Sequence, residues 1–182
     1  MGISGVSLEY RLNTKTKESV STYIPAPLDH SLFFILRHAM FIGEYQHAVD
    51  GKGRLAVPMK FRKDLTKGAV VTRGLDHCLF VYSAKEWKVL AEKLAALPLT
   101  QANARAFARL MLAGAMEVDV DRQGRVLLPE YLRKYAKIGK ETVVAGLFNR
   151  IEVWDRSSWE KYKAKTEKDS DNIAERMSEL GI

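Results

Sequence analysis

The chain has 182 residues, 47% hydrophobic and 28% charged, enough apolar material for one compact domain or two small fused ones. A formal net charge of +7 is compatible with a polyanionic partner without specifying one. The lone cysteine, Cys78, excludes an internal disulfide framework and fits a reducing compartment; no run approaches the roughly 20 apolar residues of a membrane-spanning helix.

Residues 1–39 are rich in Ser and Thr, carry Pro25 and Pro27 and show no clean periodicity, the composition of a poorly ordered leader. Glu9, Glu18 and Asp29, with an apolar run that arrives only at Leu32, argue against a signal peptide. Organised sequence begins immediately after Met40, which makes Met40 a candidate natural start, with the leader lying upstream of it. From there the pattern predicts a strand at 43–49, a turn at 50–53 and a strand at 54–58, read together as a β-hairpin. Pro58 then suits the first turn of a short helix to residue 65. Strands follow at 69–73 and 78–83, where Cys78 reads as a small buried hydrophobe. Ser83 and Glu86 have the spacing of a capping box for a helix with Trp87, Leu90, Ala91 and Leu94 on one face, ending before Pro98. A further helix is expected over 100–113, with Thr100 as N-cap and Ala104, Phe107, Ala108 and Met111 as its apolar stripe.

The order then repeats. Asp50-Gly-Lys-Gly-Arg54-Leu-Ala-Val-Pro58 returns as Asp121-Arg-Gln-Gly-Arg125-Val-Leu-Leu-Pro129, each position displaced by 71 residues. Arg62 and Lys63 have counterparts in Arg133 and Lys134; strands are expected at 142–146 and 150–155, and Asp155 caps a helix carrying Trp159, the counterpart of Trp87. The charged end, 160–182, has Ile173, Met177 and Leu180 on a narrow helical face. One copy holds too few strands and too little core to stand alone, so two ββαββ-like halves imply a pseudo-two-fold unit in which each completes the other's sheet. The three tryptophans read as core packing.

Within the motif, an aspartate can accept from turn amides and hold the arginine by a charge-assisted bond, while the glycines admit close backbone approach. That arrangement serves equally as a turn lock and as a mount for guanidinium groups, which pair bidentately with guanine O6 and N7. Lys52 and Arg122, at the tips, extend the cationic surface. His30, His38, His47 and His77 lack metal-ligand spacing, and neither a nucleophile–base set nor a phosphate-binding glycine loop occurs, so neither enzyme, cofactor nor metal chemistry is expected.

The stretches MFIGEYQHAVDGKGRLAVPMKFR (40–62) and GAMEVDVDRQGRVLLPEYLR (114–133) closely resemble the two signatures of the MraZ family of bacterial transcriptional regulators, and the likeness runs from Met40 to about Trp159. The resemblance implies a mixed α/β fold, mainly β with helices, in which two tandem swapped-hairpin AbrB-like halves form a pseudo-two-fold barrel. It divides the chain into the leader 1–39, a first repeat 43–88, connecting helices 89–113, a second repeat 114–160 and a charged tail 161–182. It further implies ring-shaped homo-oligomers in the cytoplasm, at the nucleoid, that bind double-stranded DNA at G-rich direct repeats in the promoter of their own division and cell-wall operon. On that resemblance Arg54 and Arg125 are the DNA-contacting positions, oriented by Asp50 and Asp121, and neither a membrane nor a small-molecule substrate is a partner. An AbrB-like interaction or antitoxin-type protein with secondary DNA binding is the alternative.

Overall fold

The computed structural model describes residues 40–181. The leader reading for 1–39, and with it the reading of Met40 as the start, lies outside the described residues. The first copy comprises β1 (Phe41–Ala48), β2 (Arg54–Ala56), α1 (Met59–Leu65), β3 (Ala69–Arg73), β4 (Leu79–Ser83) and α2 (Ala84–Ala95). After α3 (Ala102–Leu112) the second copy comprises β5 (Met116–Val118), β6 (Arg125–Leu127), α4 (Glu130–Tyr135), β7 (Glu141–Phe148), β8 (Arg150–Asp155) and α5 (Arg156–Lys168), followed by α6 (Ser170–Ser178).

The hairpin expected over 43–58 does not form. β1 and β2 share only an isolated bridge between Val49 and Leu55. β1 instead pairs antiparallel with β7, and β2 pairs antiparallel with β6, both partners belonging to the other copy. The exchange is reciprocal, since β5, the counterpart of β1, pairs with β3. The six-stranded sheet runs β1-β7-β8-β4-β3-β5 and reads the same from either end once counterparts are exchanged, while β2 and β6 form a separate two-stranded ribbon. A tight turn can deliver its second strand to a different partner when that partner offers the better apolar face, and local turn signals do not decide between the two.

The inner face of the sheet, the ribbon and the short helices share one core. Phe41, Val71, Val81, Val144, Ile151 and Val153 from the sheet pack with Leu55 and Val126 from the ribbon, Phe61 and Leu65 from α1 and Leu132 from α4. Phe61 meets Phe41 and Tyr45 edge-on, with ring centroids 5.2 and 5.3 Å away. On the outer face, Cys78, Phe80, Tyr82, Leu94, Met111 and Trp154 form a second cluster against which Trp87 and Trp159 pack, so all three tryptophans contribute to packing. Burial pushes the Cys78 thiol far up, consistent with its reading as a hydrophobe.

The caps explain the helix starts. Ser83 Oγ accepts from the Glu86 amide at 3.3 Å, and Asp155 Oδ1 accepts from the amides of Ser157 and Ser158. The α3 start differs from expectation: Gln101, not Thr100, is the N-cap, and its side chain makes no capping bond. Pro58 and Pro129 stand at the N-caps of α1 and α4, where the backbone must be extended before the helix begins.

Truncating Phe61, 2% exposed at the junction of α1, β1 and the ribbon, is expected to destabilise the chain by about 3–5 kcal/mol. Urea denaturation of Phe61→Ala checks this, and the spacing of the core across both copies predicts one cooperative transition.

Candidate nucleic-acid interface

Both motif turns adopt the same geometry. Asp50 Oδ1 accepts from the backbone amides of Lys52 at 2.9 Å and Arg54 at 3.0 Å, closing the turn from inside. Asp50 Oδ2 accepts from Arg54 Nε and pairs with Arg54 Nη2, each at 2.8 Å. In the second copy Asp121 Oδ1 accepts from the amides of Gln123 and Arg125, both at 2.9 Å. Asp121 Oδ2 accepts from Arg125 Nε at 2.9 Å and Nη2 at 2.7 Å. Each carboxylate therefore fixes the turn and the guanidinium together. The Arg54 amide, then its side chain and the Lys52 amide, bring the Asp50 carboxyl down to about 2. The Asp121 carboxyl is lowered by the Arg125 side chain first and then by its amide.

Pairing of β2 with β6 turns two turns into one surface. Arg54 lies opposite Leu127, Leu55 opposite Val126 and Ala56 opposite Arg125. Side chains alternate along a strand, so Leu55 and Val126 enter the core while Arg54, Ala56, Arg125 and Leu127 share the other face. The two arginines come close enough for Arg125 Nη1 to lie 3.7 Å from Asp50 Oδ2, an ion pair from one copy to the other. Lys52 and Arg122 sit exposed at the turn tips and, among the described residues, make no ion pair.

Two further arginines support the turns. Their matching positions in the repeat were the only sequence signal, and nothing in spacing assigned them a role. Arg62 Nε donates to the Val57 carbonyl at 2.9 Å, and Arg133 Nε donates to the Leu128 carbonyl at 3.0 Å. Each lies against the motif glycine of the other copy: a Cβ on Gly124 would sit 2.2 Å from Arg62 Cζ, and one on Gly53 would sit 3.0 Å from Arg133 Cζ. Both glycines have positive φ, +79° at Gly53 and +77° at Gly124. The backbone repeats the exchange, with Val57 N donating to Gly124 O and Leu128 N to Gly53 O, each at 2.9 Å. Arg62 also lowers the His47 imidazole, after the larger effect of burial.

Fold and site define an internally duplicated α/β protein that presents paired aspartate–arginine turns from both copies on a single β-ribbon. A family model described as "MraZ protein, putative antitoxin-like" matches residues 40–110 and again 111–180. The chain is 50% identical over 143 residues to the transcriptional regulator MraZ of Acetivibrio thermocellus, and 51% identical over 143 residues to those of Clostridium tetani and Caldicellulosiruptor saccharolyticus. Each alignment covers 79% of this chain and 100% of the relative. The chain belongs to the MraZ family.

Alanine at Gly124 meets both a positive φ and the Arg62 guanidinium, whereas at Gly53 the clash is milder. Both variants are expected to lose at least about 1 kcal/mol, Gly124→Ala the more, by chemical denaturation. The depressed aspartates predict the acid response. A carboxylate held below its unfolded value contributes stability that is present above that value, 3.8 for Asp50, and is lost as pH falls towards about 2. Carboxyl-carbon NMR should place the Asp50 midpoint near 2, and Arg54→Ala should return it towards the ordinary range.

Proposed function

We propose that this chain is a sequence-specific DNA-binding transcriptional regulator that acts in the cytoplasm, at the nucleoid, and catalyses no reaction. The observation that carries this is the placement of Arg54 and Arg125 on one outward face of a two-stranded ribbon, each aimed by its own aspartate. The major groove of B-DNA admits such a ribbon, and arginine recognises guanine there through O6 and N7. Asp50 and Asp121 engage the Nε and Nη2 edge of each guanidinium, and a guanidinium has five N–H donors, so donors remain for a base edge.

The charges divide the labour. Each Asp–Arg pair is close to neutral and attracts phosphate weakly; the unpaired Lys52 and Arg122 supply the phosphate contacts that position the ribbon. We assign the target as G-rich direct repeats in the promoter of the chain's own division and cell-wall operon, bound by a ring of copies. One ribbon on one short repeat binds weakly, and linked copies raise the effective concentration of each later contact. The strand exchange between copies supports reading the fold as a swapped-hairpin AbrB-like barrel, with the first repeat at 43–88, connecting helices at 89–113, the second repeat at 114–160 and the tail at 161–182.

The antitoxin-like wording of the family description favours one other reading, an interaction protein whose DNA binding is secondary. Titration of the operon duplex and a scrambled duplex across a salt series separates the two. Wild type is expected to prefer the operon duplex by about 10³-fold. Arg54→Ala and Arg125→Ala should lose that preference while folded, and Lys52→Ala should weaken both duplexes alike and reduce the salt slope by about one. Retained discrimination by both arginine variants would reduce the motif to a turn lock, and no preference in wild type would favour the interaction protein.

A further inference from the structure

The ribbon that carries the motif arginines is symmetric in its backbone and asymmetric in its outward side chains. Arg54 stands opposite Leu127, and Arg125 stands opposite Ala56. Leu127 and Ala56 occupy the same position of the repeat, 71 residues apart, and they are not alike. Leu127 is 51% exposed and belongs to neither core cluster, whereas Ala56 is half-buried and ends at one methyl group. The ribbon's inward face is filled without Leu127, by Leu55 and Val126.

The guanidiniums differ in the same sense. Among the described residues Arg54 pairs with Asp50 alone, whereas Arg125 pairs with Asp121 and also has Nη1 3.7 Å from Asp50 Oδ2. The Arg54 side chain is the more exposed, 32% against 23%. The end of the ribbon formed by Arg54 and Leu127 therefore presents the less neutralised guanidinium beside the larger apolar group.

This asymmetry bears on direction. A direct repeat has a direction along DNA, whereas a two-fold ribbon fits the groove equally well either way round. The turn tips differ as Gly51-Lys52 against Arg122-Gln123, yet each keeps one exposed cation, and phosphate contacts carry no sequence information. Leu127 is of a different kind. In the major groove thymine alone among the bases presents a C5-methyl group, which apolar side chains contact. Directly paired residues stand about 5 Å apart, and bases follow one another at about 3.4 Å along a strand. With Arg54 on a guanine, Leu127 lies over the neighbouring base pair, within reach of a thymine methyl. Ala56, shorter and half-buried, reaches less far beside Arg125.

We propose that Leu127 is a specificity-determining residue of the ribbon. Standing opposite Arg54, it selects a thymine next to the guanine that Arg54 reads, and so fixes the direction in which the ribbon sits on its site. The proposal rests on the DNA-binding reading above.

Deoxyuridine differs from thymidine only by the C5-methyl group. Replacing the thymidines of the operon duplex one at a time removes the contact and leaves base pairing intact. Full-length wild type, titrated at fixed salt, is expected to bind about fourfold less tightly when a thymine next to a guanine of the repeat is replaced, the value of one buried methyl-sized group. Leu127→Ala should bind the thymine and uracil duplexes alike, and Leu127→Met, which keeps the volume, should restore most of the difference. Because Leu127 is half exposed, both variants should keep the wild-type urea midpoint. A purely structural role would shift that midpoint and weaken both duplexes equally, and that result overturns the proposal. So does a thymine–uracil difference that survives Leu127→Ala, or a wild type indifferent to uracil at every thymine. Failure of wild type to prefer the operon duplex over a scrambled one sinks the DNA-binding reading itself, and it shows before any uracil is introduced.

Discussion

The antiparallel pairing of β2 with β6 is the contact on which the remaining architecture depends. Each strand has three residues, too few to persist alone, and each finds its partner strand in the other copy. The ribbon delivers Leu55 and Val126 to the shared core and leaves the arginines outside. Its ends are closed by Val57 and Leu128 amides donating to the opposite motif glycine, and those glycines lie under Arg62 and Arg133. Turn, ribbon and short helix therefore form one unit in duplicate, and disturbing either motif disturbs both.

That interdependence gives the site its character. A guanidinium on an isolated turn would sample many rotamers, whereas here one carboxylate spans amide and side chain and removes that freedom. The cross-copy approach of Arg125 to Asp50 couples the two arginines further. The guanidiniums are thus held in place on a narrow ribbon, and each Asp–Arg pair is close to neutral.

Duplication also explains where the molecule departs from symmetry. The sheet order is palindromic, yet a proline-containing connection returns α3 to its sheet while a single residue sends α6 onward. The result is that Met111 of α3 is buried while Ile173 and Met177 of α6 stay exposed.

The sequence by itself determined the repeat, the turns, the helix starts at Ser83 and Asp155 and the identities of the paired aspartates and arginines, because these depend on spacing, backbone preference and local capping within a few residues. It also showed that one copy was too small to stand alone. It did not determine that the strand after Asp50 would leave β1 and join β6, since a three-residue strand with one inward apolar residue fits either partner locally. The roles of Arg62 and Arg133 were equally invisible, for a guanidinium that supports a glycine more than 60 residues away leaves no local pattern. Only the tertiary structure decided these, because partner choice follows from which apolar faces meet in the core and from backbone groups that must be satisfied there.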